Sequence, residues 1–394
     1  MKAPLQTKPY RCRLLSSAIV LGIASSSASV FAQTTADTTR FFGSLETSIE
    51  STSNVFLNNT EADDVVYSVV PTLGFARENG LFSLEGSAAV SVTRYDEFSA
   101  NDSSDVSTKL AGAYDGNPLS LNASVDFTQS SSASGVVGNI LETDTLTFAG
   151  GMDYYISSAT GISAGFEHET TTPDELVFEL GETTVWSART GAFYDYSSAL
   201  RFNMSLRYRQ TDVENFTSTL AAAANVNNDS EDVGFIVGVS GQLTPVIDGL
   251  AEVGLQQRSY DAAGLDDSTS PYVGLAASWT ISSITRLDLN ASYDFSTSVT
   301  NLSSDSIQAT ATLNHELTSD LSGNIGVIIE ESDFEAPGRA DRDDSAYSVF
   351  AGVVYSLTDW GTIGLQVNYG ERDSNVATAT YETFSATLSA SVFF

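Results

Sequence analysis

The sequence is poor in everything that would cross-link it or let it hold a thiolate-bound metal. Of 394 residues, one is cysteine and two are histidine. The cysteine, Cys12, lies near the N-terminus, so the chain beyond it has no disulfide framework, no thiolate nucleophile and no thiolate metal site. Basic residues are also scarce, 17 Lys+Arg against 50 Asp+Glu, and the formal net charge is −33. A chain so acidic repels phosphate backbones, which excludes a general nucleic-acid binder. Long apolar runs are missing too. After the first 24 residues each is broken within a few positions by Ser, Thr, Asp or Gly, so no later window spans hydrocarbon as a helix. Yet 42% of the residues are hydrophobic and 10% aromatic, too many for an acidic disordered chain.

The first 32 residues read as an export signal. Lys2, Lys8, Arg11 and Arg13 form a basic segment without acids, and Leu14–Ala24 is an apolar stretch too short for a membrane anchor. The small residues ending at Val30-Phe31-Ala32 suit cleavage after Ala32. Cys12 precedes the apolar stretch, which excludes lipoprotein attachment at that residue. Without residues 1–32 the formal charge deepens to −37, and Lys109 is the one lysine left. Residues 33–40 are expected to form a short periplasmic lead-in, leaving no room for an N-terminal plug, and 41–394 the folded unit.

That unit repeats one pattern. In 41–50 (FFGSLETSIE), Phe41, Leu45 and Ile49 share a face, while Ser44, Glu46, Ser48 and Glu50 share the other, as alternate residues of a strand do. Eighteen such segments follow one another, centred near 46, 70, 88, 110, 125, 148, 166, 190, 206, 237, 253, 275, 291, 311, 327, 350, 366 and 386. Segments 141–157 and 246–259 alternate less cleanly, which leaves sixteen strands as the lower count. Between them, short links such as Glu78-Asn79-Gly80 and Thr244–Val246 take turns with long polar ones at 52–63, 96–105, 129–142, 170–183, 210–231, 260–270, 296–305, 332–344 and 371–378. Such sorting of links is the habit of transmembrane barrels, short turns on the periplasmic side. Backbone amides left unpaired in hydrocarbon are so costly that a spanning sheet must close on itself. The expected fold is therefore all-β: an antiparallel up-and-down barrel of 16–18 strands in the bacterial outer membrane, both termini periplasmic. Outward aromatics such as Tyr67, Phe82, Trp186, Trp279, Phe295 and Tyr355 would supply its girdles.

Two resemblances add to this reading. The last strand ends on its apolar face at Phe394, which resembles the C-terminal signal read by the barrel-assembly machinery. Residues 47–106 contain Ser53-Asn54-Val55-Phe56, the acidic step Asp63-Asp64, Val70-Pro71-Thr72-Leu73 and Tyr95 before an acidic loop. This stretch resembles the start of the putative β-barrel porin type 2 family. The resemblance implies an outer-membrane barrel, often linked to exopolysaccharide export, with periplasmic polysaccharide-export components among its partners.

Parity places Arg189, Arg201, Arg207, Arg209 and Arg258 on the inner face as candidate pore-lining residues. Glu167 and Glu169 lie near the height of Arg207 and Arg209, so opposed walls of unlike charge would orient a polar or anionic solute; mutual pairing of these charges is the other reading. The loop Gln210–Glu231 is expected to be a surface excursion, with a lumenal constriction as its alternative. His168 and His315 fall near opposite interfaces and cannot share a catalytic site, so no enzyme and no cofactor is expected. Acidic clusters such as Asp63-Asp64, Asp266-Asp267 and Asp341–Asp344 lack metal-loop spacing and read as solvated loops. The function expected is a conduit for polar solutes or exported polysaccharide, with lipopolysaccharide, outer-membrane lipids and the assembly machinery as surroundings. A non-transporting adhesin, scaffold or anchor acting through acidic loops is the alternative.

Overall fold

The computed structural model describes residues 39–173, 181–214, 229–261, 266–297, 303–335 and 341–394. The expected export signal, and with it most of the expected lead-in, lies outside them, as do residues 215–228 of the loop expected at Gln210–Glu231.

The strands are β1 (Thr39–Thr52), β2 (Asp64–Asn79), β3 (Phe82–Tyr95), β4 (Ser103–Asp115), β5 (Leu119–Ser134) and β6 (Asn139–Tyr155). Then come β7 (Thr160–Pro173), β8 (Thr183–Asp195), β9 (Leu200–Val213), β10 (Ser230–Thr244), β11 (Ile247–Tyr260) and β12 (Ser268–Ser282). The last six are β13 (Thr285–Thr297), β14 (Ser303–Glu316), β15 (Leu321–Glu335), β16 (Arg342–Thr358), β17 (Gly361–Ser374) and β18 (Tyr381–Phe393). Each pairs antiparallel with its neighbours in chain order, and β1 pairs with β18, so the 18-stranded sheet closes. All eighteen centres expected from alternation fall inside these strands. The shortest strands have 13 residues, about 44 Å at 3.4 Å per residue. Tilted by about 45°, such a strand rises about 31 Å, enough for a hydrocarbon layer of roughly 30 Å.

The register carries the alternation around the wall. Phe41 faces Phe75 and Ile49 faces Tyr67 on β1 and β2, and Phe41, Ile49, Tyr67, Leu73 and Leu84 are all exposed on the outside. Exposed Phe82, Tyr154, Tyr196, Trp279 and Trp360 ring the end bearing the short turns, while Tyr67, Trp186, Tyr208 and Tyr347 ring the other. Phe295 departs from expectation. It is 3% exposed, because the β12–β13 ladder stops at Val273–Tyr293 and the far end of β13, still paired with β14, turns away from β12.

The last residue extends the closing ladder between β1 and β18. Phe394 and Gly43 exchange two backbone hydrogen bonds, N–O distances 2.7 and 3.0 Å, and the Phe394 ring lies over Gly43, where any Cβ would collide with it. Both described chain ends thus lie at the short-turn end.

One link contradicts the expected pattern. The long loop anticipated at 129–142 is mostly strand: β5 and β6 continue to pair from Gln129–Asp144 to Ser134–Asn139, leaving residues 135–138 as a tight turn with Gly138 at φ 72°. Its polar run Gln129–Ser134 has no apolar face, so alternation could not reveal it. On its β5 side the link leaves the wall, for β4–β5 pairing ends at Ser107–Thr128, and the last described β6–β7 pair is Thr143–Pro173.

Candidate functional site

The inner face is where charges collect. On β9 the odd positions point inward, which puts Arg201, Arg207 and Arg209 along one line while exposed Phe202, Met204 and Leu206 take the other side. Arg201 sits near the short-turn end. Its Nε donates to Asp195 at 2.7 Å, its Nη1 to Asp153 at 2.7 Å and its Nη2 to the Tyr155 hydroxyl at 2.8 Å. The guanidinium also lies 3.8 Å from the centre of the Phe193 ring, a cation–π contact that its three oxygen partners hold in place.

Higher on the wall, Asp232 of β10 lies in register between Arg209 of β9 and Arg258 of β11. Opposite charges on facing residues attract across a ladder. Arg258 grips Asp232 through Nε and Nη2 at 2.6 and 2.8 Å, and Arg209 Nε donates to the same carboxylate at 2.6 Å. The Arg258 and Asp232 side chains are each 1% exposed. Arg189 and Arg207 face each other directly, a pairing of like charges, and they diverge. Arg189 makes a two-pronged contact with Glu252 at 2.6 and 3.2 Å, and Arg207 another with Asp294 at 2.8 and 2.9 Å. Such bidentate pairs fix direction as well as charge.

Arg207 is on β9 and Asp294 on β13, four strands apart. Strands about 4.8 Å apart would separate these positions by about 19 Å along a gently curved sheet. Direct contact therefore means that the wall bends sharply here and the end of β13 leans over the inner faces of β9–β11. Beyond Tyr293 that end has lost its β12 partner, and arginines serve it instead: Arg209 donates to the Phe295 carbonyl at 2.9 Å and Arg258 to that of Ser296 at 3.1 Å. Arg258 also stacks 4.6 Å from the Phe295 ring centre, which explains the burial of that residue. Four arginines and three carboxylates make this cluster net positive by one charge.

Glu167 and Glu169 lie on the inner line of β7. Glu167 is level with Ser187 and Arg209 in register, but Arg209 turns the other way, to Asp232. Glu169 accepts from Thr147 at 3.4 Å. The basic and acidic residues thus do not face each other as two bare walls, since every one of the five arginines has a carboxylate within 2.8 Å.

A second mouth cluster carries Arg342 and Arg372, which sequence reasoning did not single out, around Asp344, which it read as one acid of a solvated loop. Asp344, 2% exposed, holds both Arg342 and Arg372 at 2.7 and 2.8 Å, and Arg372 reaches Glu330 at 3.4 Å. The third arm of Arg342 donates to the Val136 carbonyl at 3.1 Å. Val136 lies in the turn of the β5–β6 hairpin, and β16 is seven strands from β5 by the shorter way round. The turn has two further contacts on that side. Asn58 Nδ2 donates to the Gly138 carbonyl at 2.9 Å, and the Tyr381 ring and hydroxyl occupy the space beside Gly135. The hairpin therefore crosses the mouth at the long-loop end.

Its dock is built from the Ser53–Phe56 motif. Asn54, 1% exposed, donates to the carbonyls of Asn58 at 2.7 Å and Glu382 at 3.0 Å, which folds the β1–β2 link into place. Phe56 meets Phe98 edge-on at 4.9 Å, and Asp64 accepts from the amides of Glu97 and Phe98 at 3.0 and 3.2 Å, tying the β3–β4 link to the same side.

The two histidines stay apart on the outer face. His168 packs 3.9 Å from Trp186 near the long-loop end, and His315 meets Thr285 at 2.9 Å near the short turns. Among the described residues, no group of three or more His, Cys, Asp or Glu gathers as metal ligands would.

The architecture is similar to that of several solved barrels. Pseudomonas aeruginosa OccK2 (OpdF) in complex with glucuronate aligns at 10% identity and TM-score 0.48, covering 90% of this chain and 98% of that one. Pseudomonas aeruginosa OpdK with vanillate aligns at 9% and 0.46 over 90% and 99%. The siderophore receptor PirA from Acinetobacter baumannii aligns at 7% and 0.44 over 92% and 81%. At these identities the likeness is one of fold alone. No curated protein sequence matches. The family model described as Putative beta-barrel porin 2 matches residues 40–393, and the chain belongs to that family, as a multi-pass β-barrel of the bacterial outer membrane.

Proposed function

We propose that this protein is a passive conduit for polar solutes, with exported polysaccharide as the specific cargo. The observation that carries the conduit reading is the closed 18-stranded wall with an apolar outside and a polar inside. A barrel of this strand number encloses more space than its side chains fill. Residues 1–32 serve as a cleaved signal, the long links face outward, and both ends of the mature chain lie in the periplasm. Phe394 is what the assembly machinery reads, and the aromatic girdles lie against outer-membrane lipids and lipopolysaccharide.

The polysaccharide reading is supported by the uncharged part of the inner wall. Gln308, Thr310, Asn324, Gln366 and Asn368 of β14, β15 and β17 alternate with lipid-facing apolar residues and offer donors and acceptors without fixed charge. Such groups exchange hydrogen bonds with sugar hydroxyls, and the lack of charge leaves a chain free to slide. Arg189, Arg201, Arg207, Arg209 and Arg258, with Glu167 and Glu169, mark the charged remainder of the wall, where ionic solutes are sorted. Periplasmic export components are the partners this reading needs.

Planar-bilayer recording of the purified, folded protein tests the conduit: discrete conductance is expected, and its absence at all voltages leaves the surface-anchor alternative. For the cargo, a strain lacking the protein should retain polysaccharide in the periplasm; unchanged release refutes that part.

A further inference from the structure

We propose that the β5–β6 hairpin is a movable strap that sets the size limit of the pore, held across the mouth by Asn58, Arg342 and Tyr381. The proposal rests on the conduit reading and adds the element that selects solutes by size.

Three observations carry it. The first is detachment. Gln129–Ser134 pair with residues 139–144 and leave β4, whose ladder with β5 stops below them at Ser107–Thr128. Six pairs, from Gln129–Asp144 to Ser134–Asn139, carry the turn about 20 Å beyond the wall at strand rise. The second is the landing place. The turn is bonded to the β1–β2 link and to the start of β16 and lies against the start of β18, a site on the far side of the mouth. The third is how thin the docking is compared with what supports it. Among the described residues, two hydrogen bonds, both to backbone carbonyls, and one ring beside a glycine join strap to dock, with Ser131 to Asp105 at 2.7 Å near the base. The dock itself is rigid: Asn54 is buried with its amide bonded, and Arg342 is fixed by Asp344 on its other arms. A fixed anchor holding a hydroxyl-rich hairpin by its tip releases it without disturbing the β4–β5 ladder, which ends below it.

The geometry also suggests what releases it. Both anchoring donors, the Arg342 guanidinium and the Asn58 amide, bind carbonyl oxygens of the turn, and a solute rich in hydroxyl or carboxylate oxygens competes for the same donors. A large solute of that kind opens its own passage, whereas a small one passes beside the closed strap.

The test uses three proteins in planar bilayers and sugar-loaded vesicles: the parent, a lock and a cut-back. The lock is Asn58→Cys with Gly138→Cys. A Cβ at residue 138 would lie 3.1 Å from that of Asn58, slightly under the disulfide range of about 3.5–4.5 Å, so a small shift joins them. The left-handed φ of Gly138 makes cysteine strained there, so disulfide yield is measured first. The cut-back replaces residues 131–142 by Asn-Gly, closing the hairpin at the Ser130–Thr143 pair with a two-residue turn. The cut-back should conduct at least twofold more than the parent and pass larger neutral oligosaccharides. The oxidised lock should keep small conductance and exclude large sugars, and reduction should restore the parent's size limit. A cut-back with the parent's conductance and size limit overturns the proposal. So does a lock whose current and size limit are the same oxidised and reduced, a comparison that stands even where the cut-back fails to fold. If the parent and both variants are all silent, the conduit reading fails first and this one with it.

Discussion

Replacing Asp232 by Asn should destabilise the barrel far more than removing any exposed carboxylate. Asp232 receives three charge-assisted bonds, from Arg209 at 2.6 Å and from Arg258 at 2.6 and 2.8 Å, in surroundings where it and Arg258 are each 1% exposed. The amide keeps the shape, loses the charge and turns an NH2 group toward one guanidinium. Arg209 retains Asp294 at 3.5 Å and the Phe295 carbonyl, but Arg258 loses the carboxylate it grips with two arms. Breaking a buried ion pair on one side costs about 3–5 kcal/mol, because the remaining charge stays desolvated. Asp126→Asn is the comparison within the same lumen. Its partner Lys109 is 51% exposed and only 3.1 Å away, and such solvated pairs contribute roughly 0–1 kcal/mol. Urea unfolding in lipid vesicles, followed by the fluorescence of lipid-facing Trp186 and Trp279, measures both. A gap of about 2 kcal/mol or more is expected. Were Asp232→Asn to unfold within about 1 kcal/mol of Asp126→Asn, the cluster would be solvated and its role as a brace refuted.

Other outcomes follow from single sites. Asn54→Ala removes the amide that folds the β1–β2 link, at about 1–3 kcal/mol for the buried groups left unpaired, so limited proteolysis should cut that link sooner than in the parent. Phe394→Ala empties the seat over Gly43 and should lower the fraction folded at a fixed time of assembly into vesicles, while Gly43→Val should do the same by blocking the seat. Equal yields would show that closure does not depend on the ring. Glu167→Gln with Glu169→Gln should shift the reversal potential in a KCl gradient toward anions. Raising the salt should shrink that shift, because the Debye length falls from about 10 Å at 0.1 M to about 3 Å at 1 M.

The wall was legible in the sequence because it is written locally. Alternation at period two needs only neighbours, and it placed a strand at every observed centre from 46 to 386. It also put Arg201, Arg207 and Arg209 on one line, since parity fixes the face of a strand once its apolar residues are known. Partners are another matter. Arg207 finds Asp294, 87 residues on and four strands round the wall, and no local pattern records that the sheet bends to allow it. Asp344 looked like one more acid of a solvated loop at Asp341–Asp344, yet it is the hub between Arg342 and Arg372. Phe295 continued the outward apolar row in sequence, but the β12–β13 ladder stops one turn of alternation earlier and turns it inward. The hairpin at 129–142 escaped for the opposite reason: a strand that faces neither lipid nor a core has no apolar side to announce it.

The scarcity of basic residues has a structural logic in this light. A cylinder satisfies its own backbone through ladders, and it needs help only where strands leave the wall. The inner arginines near the mouth stand at those places. Arg209 and Arg258 bond the carbonyls of β13 beyond the point where β12 lets go, and Arg342 bonds the carbonyl at the tip of the detached hairpin. Each is held in turn by a carboxylate drawn from the acid surplus, Asp232 for the first two and Asp344 for the third. A guanidinium suits this task because its planar fork can grip a carboxylate on one side and still present a donor to a carbonyl on another, which a lysine ammonium on a flexible stem does less well. That argues for Arg342→Lys as a discriminating substitution. It keeps the charge opposite Asp344 but loses the third, directed donor, so the strap should loosen while the barrel's stability changes little. Raised passage of large sugars at an unchanged unfolding midpoint is the expected result. A fall in stability with no change in passage would make Arg342 a brace of the wall and not the holder of the strap.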